Sequence, residues 1–180
     1  AMRRDFHMYP EPAWLEYRSA AKVADTLISL GYDVALGADV LDLDSRMGLP
    51  SDEVMKAAMD RAIKEGANPE LVEKMGYGKT AIVATMKFGG EGPVVAFRVD
   101  MDSNDVIEAK EDNHVPTKGG FRSCHDKAMH ACGHDAHMTM GLGLAEYLAT
   151  HKDEFKGTIK LIFQPAEEGV RGAKAMAEAG

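Results

Sequence analysis

The side chains able to do chemistry are concentrated in two short stretches. Met129-His130-Ala131-Cys132-Gly133-His134-Asp135-Ala136-His137 sets thiol, imidazole and carboxylate groups almost side by side, and Gln164-Pro165-Ala166-Glu167-Glu168 follows further along the chain. Burying so many lone pairs without partners costs free energy at each one, and a divalent cation is the partner they share. A hydrolytic metal needs soft or borderline ligands, an open position for water, and a carboxylate to take that water's proton. Cys132 and His134 offer ligands from one loop. Glu167 and Glu168 are adjacent and diverge, so they can divide ligand and base duties. Asp102 is placed to support an imidazole ligand, fixing its tautomer and raising its basicity. Taken singly, each group has a plainer use. His7, His130 and His137 serve as hydrogen-bonded structural histidines, Cys132 as a small buried hydrophobe, and Asp100 as a solvated strand end. Met129, Met138 and Met140 fill core space, and Arg98, Arg122 and Arg171 are open either to solvent or to a substrate carboxylate.

These groups must be held by elements that the sequence patterning predicts. Trp14 to Leu30 carries an apolar stripe of helical period, stopped by Gly31, and Tyr32 to Leu43 reads as a short edge strand entering a loop. Ser51 caps a second helix with Val54, Ala57, Ala58 and Ile63 as its apolar face, broken at Gly66 and Pro69. A short helix over Pro69 to Met75 completes a mostly helical insertion at about residues 44–78, read as a surface flap. Thr80–Phe88 and Pro93–Val99 are β-branched runs joined by Gly89-Gly90-Glu91-Gly92, the pattern of a hairpin. A long irregular loop then leads into the Met129–His137 motif, Asp135 caps a helix to Thr150, Thr158–Phe163 is a buried strand, and Gly172–Ala179 is helical. Strand, loop, helix and strand make a βαβ crossover, hence an α/β domain with helices covering a central sheet. Ligands in such folds gather beyond the carboxyl ends of strands, where the Asp100–Asp102 and Glu167–Glu168 pairs fall.

Composition narrows the field. At 180 residues the chain suits one domain, and 45% hydrophobic with 28% charged residues excludes disordered and fibrous classes. A net charge of −8 argues against nucleic acid, which is held by clustered Lys and Arg. No run approaches the roughly 18 consecutive apolar residues of a membrane span, and the start Met2-Arg3-Arg4-Asp5 lacks an apolar signal core, so a cytoplasmic location is expected. The pair Cys124 and Cys132 fits a reducing compartment better than a disulfide framework.

Phe97-Arg98-Val99-Asp100-Met101-Asp102, Met129 to His137 and Phe163 to Gly169 together resemble the aminoacylase/carboxypeptidase-type amidohydrolase family of metallopeptidases. Arg3-Arg4-Asp5-Phe6-His7, Pro10-Glu11 and Arg171-Gly172-Ala173 fit as well, so the resemblance runs along nearly the whole chain. It implies a three-layer α/β/α zinc-peptidase-like catalytic domain with a central mixed sheet, incomplete here and without its lid, so that residues 1–180 form the N-terminal portion of the catalytic domain. It implies Cys132, His134 and Glu168 as metal ligands, Glu167 as general base and Asp102 as the supporting aspartate. Two divalent ions, Mn²⁺ or Zn²⁺, are expected. Leu43-Asp44-Ser45-Arg46-Met47-Gly48-Leu49-Pro50 and Ser123-Cys124 narrow the implied substrate to an N-acyl amino acid such as p-aminobenzoyl-glutamate. The family takes further histidine ligands from downstream and dimerises through the lid. The expectation is therefore a full-length homo- or hetero-oligomeric amidohydrolase of which this piece is inactive. The competing readings are a metal-binding or interaction module without catalysis, and a dipeptidase or carboxypeptidase.

Overall fold

The computed structural model describes residues 1–180. Four strands form one mixed sheet: β1 (Asp33–Leu36), β2 (Ile82–Lys87), β3 (Val94–Asp100) and β4 (Thr158–Gln164), in the order β1-β2-β4-β3. β1 lies at the edge, as the sequence suggested. β2 pairs antiparallel with both β1 and β4, while β3 runs parallel to β4 from Val94 opposite Thr158 to Asp100 opposite Gln164.

The expected hairpin does not form. β2 and β3 are joined by the Gly-rich turn, yet β4 inserts between them and takes a backbone ladder from each. The reason lies in strand patterning: a β-branched run states that a segment is a strand, but not which neighbour it pairs with. The crossover from β3 through the long loop, with its short α5 (Val115–Lys118), and α6 (His134–Thr150) to β4 is present, and its parallel pairing aligns the carboxyl ends of β3 and β4 on one rim.

Helices α2 (Tyr17–Ser29) and α6 cover one face of the sheet. Leu36, Ile82, Ala84, Met86, Leu161 and Phe163 point into this core, where they meet Ala20, Ala24, Leu27, Met138, Leu142 and Ala145. Full burial of a side chain the size of Leu or Phe stabilises by roughly 1.5–3 kcal/mol, so this face dominates the fold's stability. Gly141 belongs here for steric reasons: a Cβ on it would stand 3.1 Å from Phe163 and 3.2 Å from Val99. Its absence lets α6 lie close on the two site-bearing strands. The opposite face presents Ala35, Val83, Thr85, Arg98, Lys160 and Ile162 to a concavity of about 520 Å³, bordered by α7 (Ala173–Glu178). The second helical layer of the expected sandwich is represented in this chain by α7 alone.

Segment 44–78 is helical, as α3 (Asp52–Lys64) and α4 (Pro69–Lys74), with Ser51 Oγ accepting from Val54 N and Asn68 Oδ1 from Glu70 N. It is not a flap. Ala58, Ala62, Val72 and Met75 join the main core against α2, and the buried face of α3 is Met55, Ala58 and Ala62 while Val54 and Ile63 are exposed. The stripe through Val54 and Ile63 is therefore the wrong one: 55, 58 and 62 share one side of a 3.6-residue helix.

α2 begins three residues later than its apolar stripe. Trp14 is fully buried with a positive φ of 66°, and its Nε1 donates to Met47 O at 2.8 Å, tying down the loop before α3. The cap comes from a distance: Glu11, itself buried, accepts from Arg18 N and Ser19 N at 2.9 and 2.8 Å. No helix is long and apolar enough to cross a membrane.

Candidate metal centre

Three chain segments meet at the carboxyl ends of β3 and β4. The α6 segment enters through Gly133, whose φ of 90° is a left-handed conformation that glycine adopts without strain, so His134 opens the helix. Asp135 therefore lies in the first turn and is not the cap. Its buried carboxylate instead receives His7 Nδ1 and Arg3 Nε, both at 2.8 Å. His7 Nε2 reaches Glu108 at 2.8 Å, and Glu108 accepts from Ser123 N, so α1 (Met2–Met8) ties the start of α6 to the long loop. His7 is the satisfied structural histidine its sequence context suggested.

His134 is buried, with Nδ1 2.7 Å from Asp102 O and 3.4 Å from Asp102 Oδ1. The Nδ1–H donates to that carbonyl, which leaves Nε2 facing Glu167 Oε2 at 3.7 Å and Glu168 Oε1 at 4.0 Å. Burial works to lower its pKa, but hydrogen bonding to Asp102 and the charges of Asp102 and Asp100 outweigh burial and push it up to about 9. Donor atoms of Cys132, His134 and Glu168 all lie within 4.8 Å of one another. The Glu168 Oε1 atom is buried with no hydrogen-bond partner. The thiol of Cys132 is pushed up by desolvation and then by Glu168, and a cation beside it would reverse that direction. An orphaned carboxylate oxygen, an imidazole nitrogen oriented by a carbonyl and an exposed thiol form a donor set that fits a divalent ion.

Asp102 supports both halves of this arrangement. Fully buried, it accepts Glu167 N on Oδ1 and Glu168 N on Oδ2, each at 3.0 Å, while its carbonyl and carboxylate face His134. The turn carrying the two glutamates closes tightly behind them. Ala166 has φ 51°, its carbonyl accepts both Arg171 N and Gly172 N, and a Cβ at Gly172 would stand 1.8 Å from Pro165 O.

Other parts of the site left little trace in the sequence. Glu16, at the start of α2, is buried behind the turn, accepting Ala166 N at 2.8 Å and Thr80 Oγ1 at 2.7 Å. Burial, and then the Asp102 charge, push its pKa up to about 8. Asn104 Oδ1 accepts Ala131 N and Cys132 N at 3.1 Å each and so clamps the Cys132 loop. His137 stacks on His134 with centroids 5.1 Å apart and sets Nδ1 3.3 Å from Asp100, so Asp100, His134 and His137 form a second group of donors within 4.8 Å. Asp100 is thus more than a solvated strand end, and Arg98 pairs with it rather than standing free. Arg122 spends its donors on Ala109 O, Ser123 O and Glu108 O, which makes it a loop brace. Cys124 and Cys132 are both free thiols; Met138 is core, but Met140 is exposed.

His130 is buried with neither ring nitrogen bonded, and burial lowers its pKa from 6.5 to about 4. The folded chain therefore holds it neutral where the unfolded chain takes up a proton, so this residue's contribution to stability falls as pH drops from 6.5 towards 4. The stability difference between wild type and His130→Leu, read from urea midpoints, should shift by about 2 kcal/mol in favour of the variant between pH 7 and pH 5.

A sequence profile described as Peptidase family M20/M25/M40 matches residues 96–180. The matched residues carry Asp102, Cys132, His134, Glu167 and Glu168, so the similarity to that family takes in the whole donor set. It is 51% identical over 178 residues to indole-3-acetyl-aspartic acid hydrolase of Enterobacter agglomerans, and 50% identical over 178 residues to one of the subunits of p-aminobenzoyl-glutamate hydrolase of Escherichia coli K12. In both comparisons 99% of this chain is covered but 41% of the relative, so the chain spans about two fifths of the length of these relatives. The crystal structure of an aminobenzoyl-glutamate utilization protein from Klebsiella pneumoniae superposes with a TM-score of 0.80 at 45% identity, covering 99% of this chain and 39% of that one. A dinuclear metal-binding peptidase of the M20 family from Bacillus subtilis follows at TM-score 0.69 and 28% identity, covering 99% of this chain and 37% of that one.

Proposed function

We propose that the whole protein is a metal-dependent amidohydrolase that cleaves the amide bond of N-acyl amino acids, with p-aminobenzoyl-glutamate the first substrate to test. Residues 1–180 would supply the N-terminal portion of its catalytic domain, with the helices of segment 44–78 as an insertion. The observation that carries this reading is the grouping of Cys132, His134 and Glu168 donors within 4.8 Å, with the partly exposed Glu167 carboxylate beside them. In this assignment Cys132, His134 and Glu168 hold metal, Glu167 is the general base, and Asp102 is the positioning residue for His134. The cofactor would be two divalent ions, Mn²⁺ or Zn²⁺, with further ligands supplied from outside these residues. When bound, such ions polarise a carbonyl and lower the pKa of water.

The chain's own residues supply the proton transfers and the orientation. Glu167, 39% exposed, accepts the proton of the attacking water and returns it to the leaving amine, the ordinary double duty of a hydrolytic carboxylate. Asp102 holds the His134 Nδ1–H and so aims Nε2 at the two glutamates, where a bound cation would take the place of the Nε2 proton, and it fixes the Glu167–Glu168 backbone so that one carboxylate serves as ligand and its neighbour as base. The relative from Escherichia coli is named as one component of a multi-subunit hydrolase, which supports assembly as a hetero-oligomer, with a homo-oligomer the alternative. A cytoplasmic location completes the reading.

The test is to assay full-length protein, stripped by chelator and reloaded with Mn²⁺ or Zn²⁺, against p-aminobenzoyl-glutamate, other N-acyl amino acids and a dipeptide panel. Metal-restored release of the free amine from N-acyl amino acids is the expected result. Turnover of dipeptides alone would replace the substrate assignment with a peptidase. Stoichiometric metal binding without turnover on any panel would leave a binding module.

A further inference from the structure

A second group of metal-type donors stands outside the centre described above. Glu65 lies at the end of α3, and Cys124 and His125 lie in the long loop before the Met129–His137 motif. One donor atom from each lies within 4.8 Å of the other two. His125 Nδ1 is 2.7 Å from Pro10 O, and since a carbonyl can only accept, this nitrogen carries the proton and donates it. The Nε2 then faces Glu65 Oε1 at 2.8 Å. Two lone pairs do not meet at that distance unless a cation lies between them, and the cation is either a second proton on the ring or a metal ion. A histidine whose Nδ1–H is fixed by a carbonyl while Nε2 points at a carboxylate has the orientation of a metal ligand with its outer support already in place.

Two further facts favour the metal over the proton. A protonated ring would satisfy Oε1 only, whereas Glu65 Oε2, buried with no partner, could accept from the water on a cation held at Oε1. It would also leave the Cys124 sulfur without a role, although that sulfur lies within reach of both other donors. We propose that Glu65, Cys124 and His125 form a second site for a zinc-class divalent cation, with water in the fourth position, that staples the end of α3 to the loop leading into Cys132. Thiolate, imidazole and carboxylate together suit Zn²⁺, and the two anionic donors neutralise its charge. Tetrahedral bonds of about 2.0–2.2 Å to nitrogen and oxygen open the Nε2–Oε1 gap to about 3.3 Å, a shift of roughly half an ångström. Glu65, with its side chain 19% exposed at a helix end, can make that shift by rotation. Of the nearby cations, Arg18 is already paired with Asp5, while Arg61 opposes the ion and sets the affinity below that of an all-anionic site. A concavity of about 360 Å³ lined by Arg61, His125, Asp126 and Lys127 gives access from solvent.

The proposal is tested on chelator-stripped protein carrying Cys132→Ser, which removes the thiolate of the other centre. Titration with Co²⁺ is expected to develop a near-ultraviolet thiolate-to-cobalt band that saturates at the intensity of one equivalent, with visible bands of tetrahedral intensity, displaced by Zn²⁺; cobalt bound at the other centre lacks a thiolate and does not contribute to this band. Zn²⁺ should also raise Tm. Adding Cys124→Ser, an exposed position whose replacement leaves packing intact, should abolish the band, weaken binding about tenfold or more and remove the Tm shift, as should Glu65→Gln. Circular dichroism verifies that each variant is folded. A folded Cys132→Ser protein that gives no thiolate–cobalt band would overturn the site and leave a proton-bridged His125–Glu65 pair. A band that persists through Cys124→Ser would overturn it equally.

Discussion

Replacing Glu167 with Gln in the full-length, metal-loaded protein should lower kcat by about 10²–10⁴-fold, leaving metal content and thermal stability near those of wild type. The substitution keeps the shape of the side chain and removes only its capacity to take a proton. The structure separates this function from support of the fold. The Glu167 carboxylate is among the exposed parts of the site, and its backbone N–H, not its side chain, makes the bond to Asp102. Glu168 is built differently, with its Oε1 buried and unpartnered, so Glu168→Gln should lose metal as well as turnover. Metal analysis beside steady-state kinetics reads both. Turnover within a fewfold of wild type in Glu167→Gln would remove Glu167 from the proton-transfer role. Loss of metal in that variant would recast it as a ligand.

The contrast between two adjacent glutamates illustrates what is legible in the sequence. Residue type and spacing are enough to mark Cys132, His134, Glu167, Glu168 and Asp102, because a cluster of lone pairs needs a common partner wherever the chain places it. The crossover that brings them together is legible for a similar reason: strand, loop, helix and strand has one common way to pack. Strand pairing is not legible, since β2 and β3 are strands whether or not β4 separates them, and only the core decides. The supporting groups are hidden for another reason. Glu16 at the start of α2 and Glu11 in the segment before it look like ordinary solvated charges, and nothing local announces that their partners are Ala166 and the first-turn amides of α2. Asp135 reads as a cap because that is the common use of Asp before a helix, whereas here glycine starts the helix and the carboxylate is claimed by His7 and Arg3. His137 reads as structural because a lone histidine on a helix ordinarily is. Its stacking on His134 and its approach to Asp100 appear only once α6 is laid over β3.

Asp102→Ala should destabilise the fold by about 3 kcal/mol or more and weaken metal binding by about 10–100-fold, the largest combined effect of any single substitution at the site. The stability part follows from what the carboxylate accepts. Two backbone N–H groups, of Glu167 and Glu168, bond to it at 3.0 Å in a fully buried setting, and each hydrogen bond to a charged group contributes about 1.5–3 kcal/mol. With alanine these donors are left to water or to nothing, and the turn from Pro165 to Gly172 loses the anchor on its site side while keeping Glu16 on the other. The metal part follows from His134, which then lacks the carboxylate 3.4 Å from Nδ1 and retains only the carbonyl. Asp102→Asn separates the two contributions. Its amide keeps one acceptor oxygen but sets an NH₂ against a backbone N–H that needs an acceptor, so stability should still fall, by less than in the alanine variant. His134 keeps its carbonyl partner but loses the negative charge that raises its basicity, and affinity should fall nearly as far as with alanine. Chemical denaturation of the stripped protein gives the first quantity and metal titration the second. If the two fell in strict proportion across both variants, Asp102 would be acting through stability alone and its role in orienting His134 would be withdrawn.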